Sequence, residues 1–130
     1  MMKSAISAVL ALALFMLGCA PREVPRRTLT LRSGRSIAVL GATMMHAPVR
    51  PAALMLQYET SLPVTDREAL SREADEVWES FQPEVERARV NVGIISAVTR
   101  RSEGIFTRTS GYNFAYERGH DGSWHRLPDR

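Results

Sequence analysis

The sequence predicts an α+β domain in which one long amphipathic helix packs on one face of an antiparallel sheet of about six strands. Two observations support this. Segments with alternating apolar side chains lie on both sides of a single segment with helical spacing, and short turn sequences separate consecutive strands. The predicted order is β-β-β-α-β-β-β, and consecutive hairpins favour antiparallel pairing. A chain of 130 residues holds one such domain and is too short for two independent cores.

The first strands are predicted as a hairpin followed by a loop and a third strand. Residues 28–40 contain two short β-rich runs separated by Ser33-Gly34, a turn sequence. Gly41, Pro48 and Pro51 indicate a loop over 41–51. Residues 52–62 then alternate between two faces, as a half-buried strand does: one face carries Leu54, Leu56, Tyr58 and Leu62, and the other carries Met55, Gln57, Glu59 and Ser61.

The helix is predicted over 65–81. Thr65 with Glu68 three residues later forms a capping box. One apolar stripe follows at helical spacing, made of Leu70, Ala74, Val77, Trp78 and Phe81. Because proline removes a backbone hydrogen bond and clashes with the preceding turn, Pro83 predicts a kink or a second helix before the chain leaves near Arg87.

The last third of the chain is predicted as strands joined by turns. Residues 89–99 form a strand whose main apolar face carries Val90, Val92, Ile94 and Val98, with Ile95 and Ala97 on the other face. Residues 100–104 turn the chain, and Ser110-Gly111 marks a break. Asp121-Gly122 then closes a final hairpin.

The first eighteen residues have the pattern of a signal peptide. Lys3 gives a basic start, and an unbroken apolar run of about 13 residues follows over 5–17. A membrane-spanning helix needs roughly 20 such residues. We therefore expect residues 1–18 to be removed.

Cys19 is the only cysteine and directly follows this leader. Phe15-Met16-Leu17-Gly18-Cys19 resembles the lipobox of bacterial lipoproteins, in which the cysteine is linked to diacylglycerol and becomes the new N-terminus. The resemblance implies acylation of Cys19 and anchoring to a lipid bilayer. With Ala20 next, it implies an outer-membrane location facing the periplasm in a Gram-negative host. The alternative is a free thiol after an ordinary signal peptide.

The charge pattern adds a tether and excludes one partner class. From Cys19 onward the chain carries 16 of the 17 basic residues and all 14 acidic ones. Residues 19–27 contain two prolines and four charges without apolar periodicity, so we expect a lipidated tether before a domain over 28–130. Export makes nucleic acid a poor partner despite the basic balance.

Aromatic side chains provide the candidate ligand site. Seven of them recur in the predicted helix and strands, and the simplest interpretation is that they fill the helix–sheet core. The alternative is that some line a pocket between helix and sheet. The candidates for that pocket are Tyr58, Trp78, Tyr112, Tyr116 and Trp124.

Metal and catalytic patterns are weak. His120, Asp121 and His125 flank one turn, but a zinc site needs three or four fixed ligands. Met44, Met45 and His46 are ligand types that monovalent copper prefers, yet methionine in an apolar loop more often packs on the sheet. Neither nucleophile-elbow nor nucleotide-binding glycine motifs occur. We expect no metal and no cofactor.

Several runs resemble a family of small bacterial lipoproteins of unknown function. They are Gln57-Tyr58-Glu59-Thr60, Glu73-Ala74-Asp75-Glu76-Val77-Trp78 on the helix, and Tyr112-Asn113-Phe114-Ala115-Tyr116-Glu117 with Asp121-Gly122-Ser123-Trp124 in the closing hairpin. The resemblance covers about 54–127 and implies an envelope location and an α+β domain. It supplies no activity and no site residues.

The sequence thus predicts an envelope lipoprotein whose domain is a non-enzymatic binding module for an envelope protein. The first alternative is a small-ligand carrier with a pocket between helix and sheet. The second is a hydrolase whose site is assembled from scattered residues.

Overall fold

The computed structural model describes residues 27–128, and within them six strands form one sheet crossed on one face by one helix. The elements are β1 (Arg27–Thr30), β2 (Ser36–Ala47), β3 (Arg50–Glu59), α1 (Arg67–Arg87), β4 (Val92–Glu103), β5 (Phe106–Arg118) and β6 (Trp124–Arg126). The predicted α+β class and element order are confirmed. The predicted signal peptide, Cys19 and most of the tether lie outside the described residues.

The prediction of a purely antiparallel sheet is wrong at its centre. The strands follow one another in chain order across the sheet, and four of the five neighbouring pairs are antiparallel. β3 and β4 are parallel, in register from Leu54 opposite Gly93 to Glu59 opposite Val98. The 21 residues of α1 span about 31 Å, close to the roughly 33 Å of β3, so the helix returns the chain to the end where β3 began.

The helix begins one residue later than predicted and continues through its proline. Asp66, not Thr65, is the N-cap, and its carboxylate accepts a 3.2 Å hydrogen bond from the Ala69 amide. α1 then runs as one element past Pro83 to Arg87, so a separate second helix is not formed. Arg89 has φ +57°, the left-handed conformation that ends many helices.

Two segments predicted as loops are arms of hairpins. β2 extends through most of the predicted 41–51 loop, and β4 extends to Glu103, through most of the predicted 100–104 turn. β5 passes Ser110-Gly111 without a break. In each case pairing with the neighbouring strand satisfies the backbone groups, and this outweighs the local preference of the sequence for a loop or turn.

The core lies between α1 and one face of the sheet. Leu56 and Tyr58 from β3, Ile95 and Ala97 from β4, and Phe114 from β5 meet the apolar stripe of the helix. The face of β4 predicted to be the main apolar one, which includes Val92 and Ile94, points the other way and is only partly covered. Both faces of this strand are apolar, and packing of α1 decided between them.

Candidate binding groove

The face of the sheet opposite α1 carries an open groove of about 980 Å³. Its lining comes from the far part of the β2–β3 hairpin, from β4 and β5, and from the segment after β6. The lining residues are Met45, His46, Ala47, Arg50, Pro51, Ala53, Val92, Ile94, Tyr112, Asn113, Ala115, Glu117, Leu127 and Pro128. We call this site the open-face groove.

The shape of the groove follows from irregular pairing in β2. The register between β2 and β3 shifts between Val39 and Gly41 and again between Met45 and Ala47. Such irregularities bend a strand and increase its twist. The β2–β3 hairpin also extends past the first residue of β4, so its end has no further strand beside it. Met45 and Arg50 on this arm therefore form one wall of the groove, across from β5.

Two alanines keep the floor of the groove low. Ala115 on β5 lies opposite Ile94 on β4, and Ala53 on β3 is 6% exposed. Larger side chains at these positions would fill the space above the sheet. Polar groups lie around the floor, with His46 and Arg50 on one arm and Glu117 on β5. An apolar surface with a few polar groups at its margin is typical of binding sites.

On the sheet face that packs against α1, a buried carboxylate joins the helix to β3. Oε1 of Glu73 accepts hydrogen bonds from the Tyr58 hydroxyl at 2.8 Å and from the Thr60 hydroxyl at 2.6 Å. Arg35 Nη2 lies 3.0 Å from Oε2, an ion-pair distance, but this oxygen has no hydrogen bond because the guanidinium N–H groups do not point at it. Glu73 is 4% exposed, and this network fixes α1 against the start of the loop after β3.

A second network fixes α1 against β5 and β6, at the opposite edge of the sheet. The Tyr116 hydroxyl donates a 2.8 Å hydrogen bond to Asp75, and Arg126 on β6 lies 3.3 Å from both oxygens of the same carboxylate. Burial, followed by the hydrogen bond to Asp75, raises the pKa of Tyr116. Burial and the Glu73 charge raise the pKa of Tyr58 in the same way. Both tyrosines are therefore neutral donors at physiological pH.

The five predicted pocket residues lie on α1 or on the side of the sheet that packs against it. Tyr58 is fully buried, and Trp78 is 6% exposed. The Trp78 ring stacks on Tyr116 with centroids 4.3 Å apart, and Trp124 packs edge-on against it at 5.1 Å. Tyr112 packs edge-on against Phe114 and lies beneath the Arg67 guanidinium at 3.7 Å. The structure thus brings Trp78, Tyr116 and Trp124 together; of the five, Tyr112 alone also borders the open-face groove.

One smaller cavity lies on the helix side. It has a volume of about 150 Å³ and is lined by residues of β1, β3 and α1, among them Arg27, Leu56 and Phe81. Arg27 also forms a 3.2 Å ion pair with Glu84 at its edge. This volume is well below the 300–1,000 Å³ of ordinary ligand pockets.

Serine, histidine and aspartate side chains are in contact at the last turn, but their hydrogen bonds differ from those of a catalytic triad. The Ser123 hydroxyl donates a 2.7 Å hydrogen bond to Asp121, and its oxygen lies 2.8 Å from Nε2 of His125. In a catalytic triad the carboxylate orients the histidine and the histidine accepts the serine proton. Here the Ser123 O–H donates its hydrogen bond to the Asp121 carboxylate and not to His125, so His125 does not accept the serine proton. The hydrogen bonds from Ser123 lower the pKa of Asp121.

The predicted pattern of His120, Asp121 and His125 is not assembled into a metal site. Among residues 27–128, no group of three or more histidine, cysteine or acidic side chains is arranged to hold a metal ion. Met45 and His46 both border the open-face groove, while His125 lies on β6. Cys19, the predicted lipidation site, lies outside the described residues.

Comparisons with known proteins add no relative. No family model matches the chain, and no curated protein or solved structure was found to be similar to it. The resemblance to small lipoproteins therefore stays a prediction. No helix within the described part of the chain is both long and apolar enough to cross a bilayer.

Sequence reasoning missed the open-face groove. It treated 41–51 as a loop, and so did not place Met45, His46 and Arg50 on paired strands. One signal was present: both faces of β4 are apolar, which indicates that the face away from the helix is also partly covered. The arm that forms the wall depends on a register shift that side-chain alternation does not reveal.

Proposed function

We propose that this protein is an outer-membrane lipoprotein, anchored through acylated Cys19, whose α+β domain binds an apolar segment of an envelope protein in the open-face groove. The anchor is supported by the leader sequence and by the single cysteine at its end. The binding role is supported by one observation above all: a groove of about 980 Å³ lies on the sheet face that the helix leaves uncovered. Met45, Ile94 and Leu127 give it an apolar lining.

The surroundings of the groove favour binding over catalysis. Its polar groups include Arg50 and His46 on one arm and Glu117 on β5, which suit charged or polar groups flanking an apolar segment. In the cluster of Asp121, Ser123 and His125, the serine hydroxyl donates to the carboxylate, so the histidine does not activate it as a nucleophile. A protein tethered to a bilayer by its first residue would present this domain to partners in the periplasm.

The anchor is tested by metabolic labelling. Cells that produce the native chain and cells that produce the Cys19→Ala variant are grown with an alkyne analogue of palmitate. We expect label on the native protein, found in the outer-membrane fraction, and none on the variant. Equal labelling of the two proteins, or a native protein found only in the soluble fraction, would show that the anchor is wrong.

The groove is tested by photo-crosslinking in cells. A photoreactive amino acid at Asn113, which lines the groove, is compared with one at Gln82 on α1. We expect a discrete crosslinked protein from position 113 and none from 82. Ala115→Arg places a long charged side chain on the groove floor and should abolish the adduct. Ala38→Arg, on the same sheet face outside the lining, is the matched control and should leave it.

A small-ligand carrier is the second candidate function, now with the ligand in the open-face groove. The volume of the groove lies at the upper end of the range for small-molecule sites. Native mass spectrometry of the protein extracted from envelopes distinguishes the two. A bound apolar molecule that is lost in Ala115→Arg and kept in Ala38→Arg would favour the carrier.

A further inference from the structure

The β4–β5 hairpin ends in a turn that exposes two large apolar side chains. Gly104, with φ +61°, and Ile105 form the turn between the paired residues Glu103 and Phe106. Ile105 is 94% exposed and Phe106 is 73% exposed. Exposed apolar groups of this size at the end of a projecting arm indicate a surface that another phase or partner covers.

Three arginines stand directly behind this turn. Arg101 on β4 lies opposite Arg108 on β5, and Arg100 is the next residue along β4. Like charges placed opposite each other in a sheet are unfavourable. No ion pair to Arg100, Arg101 or Arg108 exists within residues 27–128, and Glu103 is the only acid of the arm. We call residues 100–109 the arginine hairpin.

We propose that the arginine hairpin inserts its Ile105–Phe106 turn into the surface of an anionic phospholipid bilayer, with the arginines on the lipid phosphates. Arg101 and Arg108 lie two residue pairs behind Glu103 and Phe106, which is about 7 Å along the strands. Interfacial segments bury apolar groups about 5–10 Å below the headgroups. The apolar side chains at the tip would thus reach the acyl chains, and the arginines behind them would lie at the depth of the phosphates.

Guanidinium groups suit this contact. Arginine binds phosphate oxygens through paired N–H donors, and its long aliphatic part can lie along apolar surface. An anionic surface would also relieve the repulsion between Arg101 and Arg108. An acidic protein offers the same charge without an apolar layer behind it, and so would leave Ile105 and Phe106 uncovered.

The tether length allows this contact and the lipid anchor to share one bilayer. Arg27, the first residue of β1, is aligned across the sheet with Ala97 on β4. The turn at Gly104 lies about 23 Å further along β4. The eight residue steps from Cys19 to Arg27 span at most about 29 Å. The hairpin contact does not depend on acylation of Cys19, so each can fail without the other.

A chain that starts at Ala20 isolates the hairpin contact. It lacks Cys19 but keeps every described strand, the helix and the core between them, all of which lie within 27–128. It also contains no cysteine, so Ile105→Cys can be labelled with a polarity-sensitive fluorophore at one position. We expect a blue shift on adding vesicles that contain phosphatidylglycerol, and none with phosphatidylcholine alone.

Val49→Cys is the matched control for insertion. Val49 is 95% exposed in the turn of the β2–β3 hairpin, at the opposite end of the sheet. The label at position 49 should stay in water under both conditions. A blue shift at 49 and not at 105, or no shift at 105 on anionic vesicles, would overturn the proposal.

Sedimentation with anionic vesicles tests the two parts of the motif. Removing one arginine with Arg101→Gln should weaken binding about fivefold, and Glu103→Gln should strengthen it. Arg72→Gln, which removes an exposed charge from α1, should change binding much less. Ile105→Ser with Phe106→Ser should also weaken binding; unchanged binding in this pair, or equal losses for Arg101→Gln and Arg72→Gln, would overturn the proposal.

Discussion

Gly93 on β4 lies directly beneath the indole ring of Trp78, and no side chain fits between them. A Cβ atom at Gly93 would lie 2.6 Å from Cη2 of Trp78 and 3.2 Å from a methyl group of Val85. Trp78 cannot move aside easily, because it stacks on Tyr116 and packs against Trp124. The missing side chain at position 93 therefore sets how closely α1 approaches the centre of the sheet.

Gly93→Ala should destabilise the domain. The added methyl group overpacks the helix–sheet contact, which typically lowers the free energy of unfolding by about 1–3 kcal/mol. Urea denaturation followed by circular dichroism measures this change. Gly41→Ala is the control, because a Cβ atom added there would have no heavy atom within 4 Å and φ is not positive. Its free energy of unfolding should stay the same or rise by up to about 1 kcal/mol; equal losses for the two variants would contradict this account.

The carboxylate of Glu73 should contribute more to stability than an exposed carboxylate on the same helix. Glu73→Ala leaves the buried hydroxyls of Tyr58 and Thr60 without their acceptor, and we expect a loss of about 2–4 kcal/mol. Glu79→Ala breaks a solvent-exposed pair with Arg32 and should cost less than about 1 kcal/mol. Chemical denaturation of both variants measures the difference.

A double-mutant cycle separates the Tyr58–Glu73 bond from the other effects. Tyr58→Phe alone should lower the free energy of unfolding by about 1–3 kcal/mol. In the Glu73→Ala background the same change should cost clearly less, because its partner is already gone. Additive effects would show that the 2.8 Å hydrogen bond contributes no measurable stability.

Stability should fall in alkaline solution. The folded protein raises the pKa of Tyr58, mainly through burial, and the pKa of Tyr116 likewise. A group whose folded pKa lies above its unfolded pKa stabilises the fold fully below the unfolded value, about 10 for tyrosine, and this contribution is lost as the pH rises above it.

The measurement is the free energy of unfolding between pH 8 and pH 11, obtained from urea titrations at each of roughly seven pH values. The native domain should lose stability above about pH 10. The Tyr58→Phe/Tyr116→Phe variant starts less stable and should show a shallower decline. Parallel curves for the two proteins would exclude these tyrosines as the cause.

Asp66 and Thr65 provide a direct test of where α1 begins. Asp66→Ala removes the acceptor of the Ala69 amide and should lower the free energy of unfolding by about 1 kcal/mol. Thr65→Ala should change it by less than about 0.5 kcal/mol, since Thr65 is exposed and caps no amide. Thermal unfolding of the two variants compares the caps, and a larger effect at Thr65 would favour the capping box predicted from the sequence.

Local patterns predicted the elements well and their connections less well. The helix stripe from Leu70 to Phe81 is confirmed, as is the alternation of β3, because each depends on residues close together in sequence. The strand direction at β3 and β4 was wrong, because it depends on the length of α1 relative to β3. The arms around Met45 and Arg101 were predicted as loop and turn, and only pairing with a distant strand makes them extended.

The sequence by itself determined one capped amphipathic helix between two groups of three strands, and the signal-peptide and lipobox patterns remain predictions from it. These features are local, because each is predicted by the spacing of residue types over a short stretch of the sequence. The tertiary structure decided which face of β4 meets α1, how the β2–β3 arm bends to form the open-face groove, and where Ile105 and Phe106 project. Those outcomes depend on contacts between residues far apart in the chain, such as Gly93 with Trp78, and no short window of sequence contains both partners.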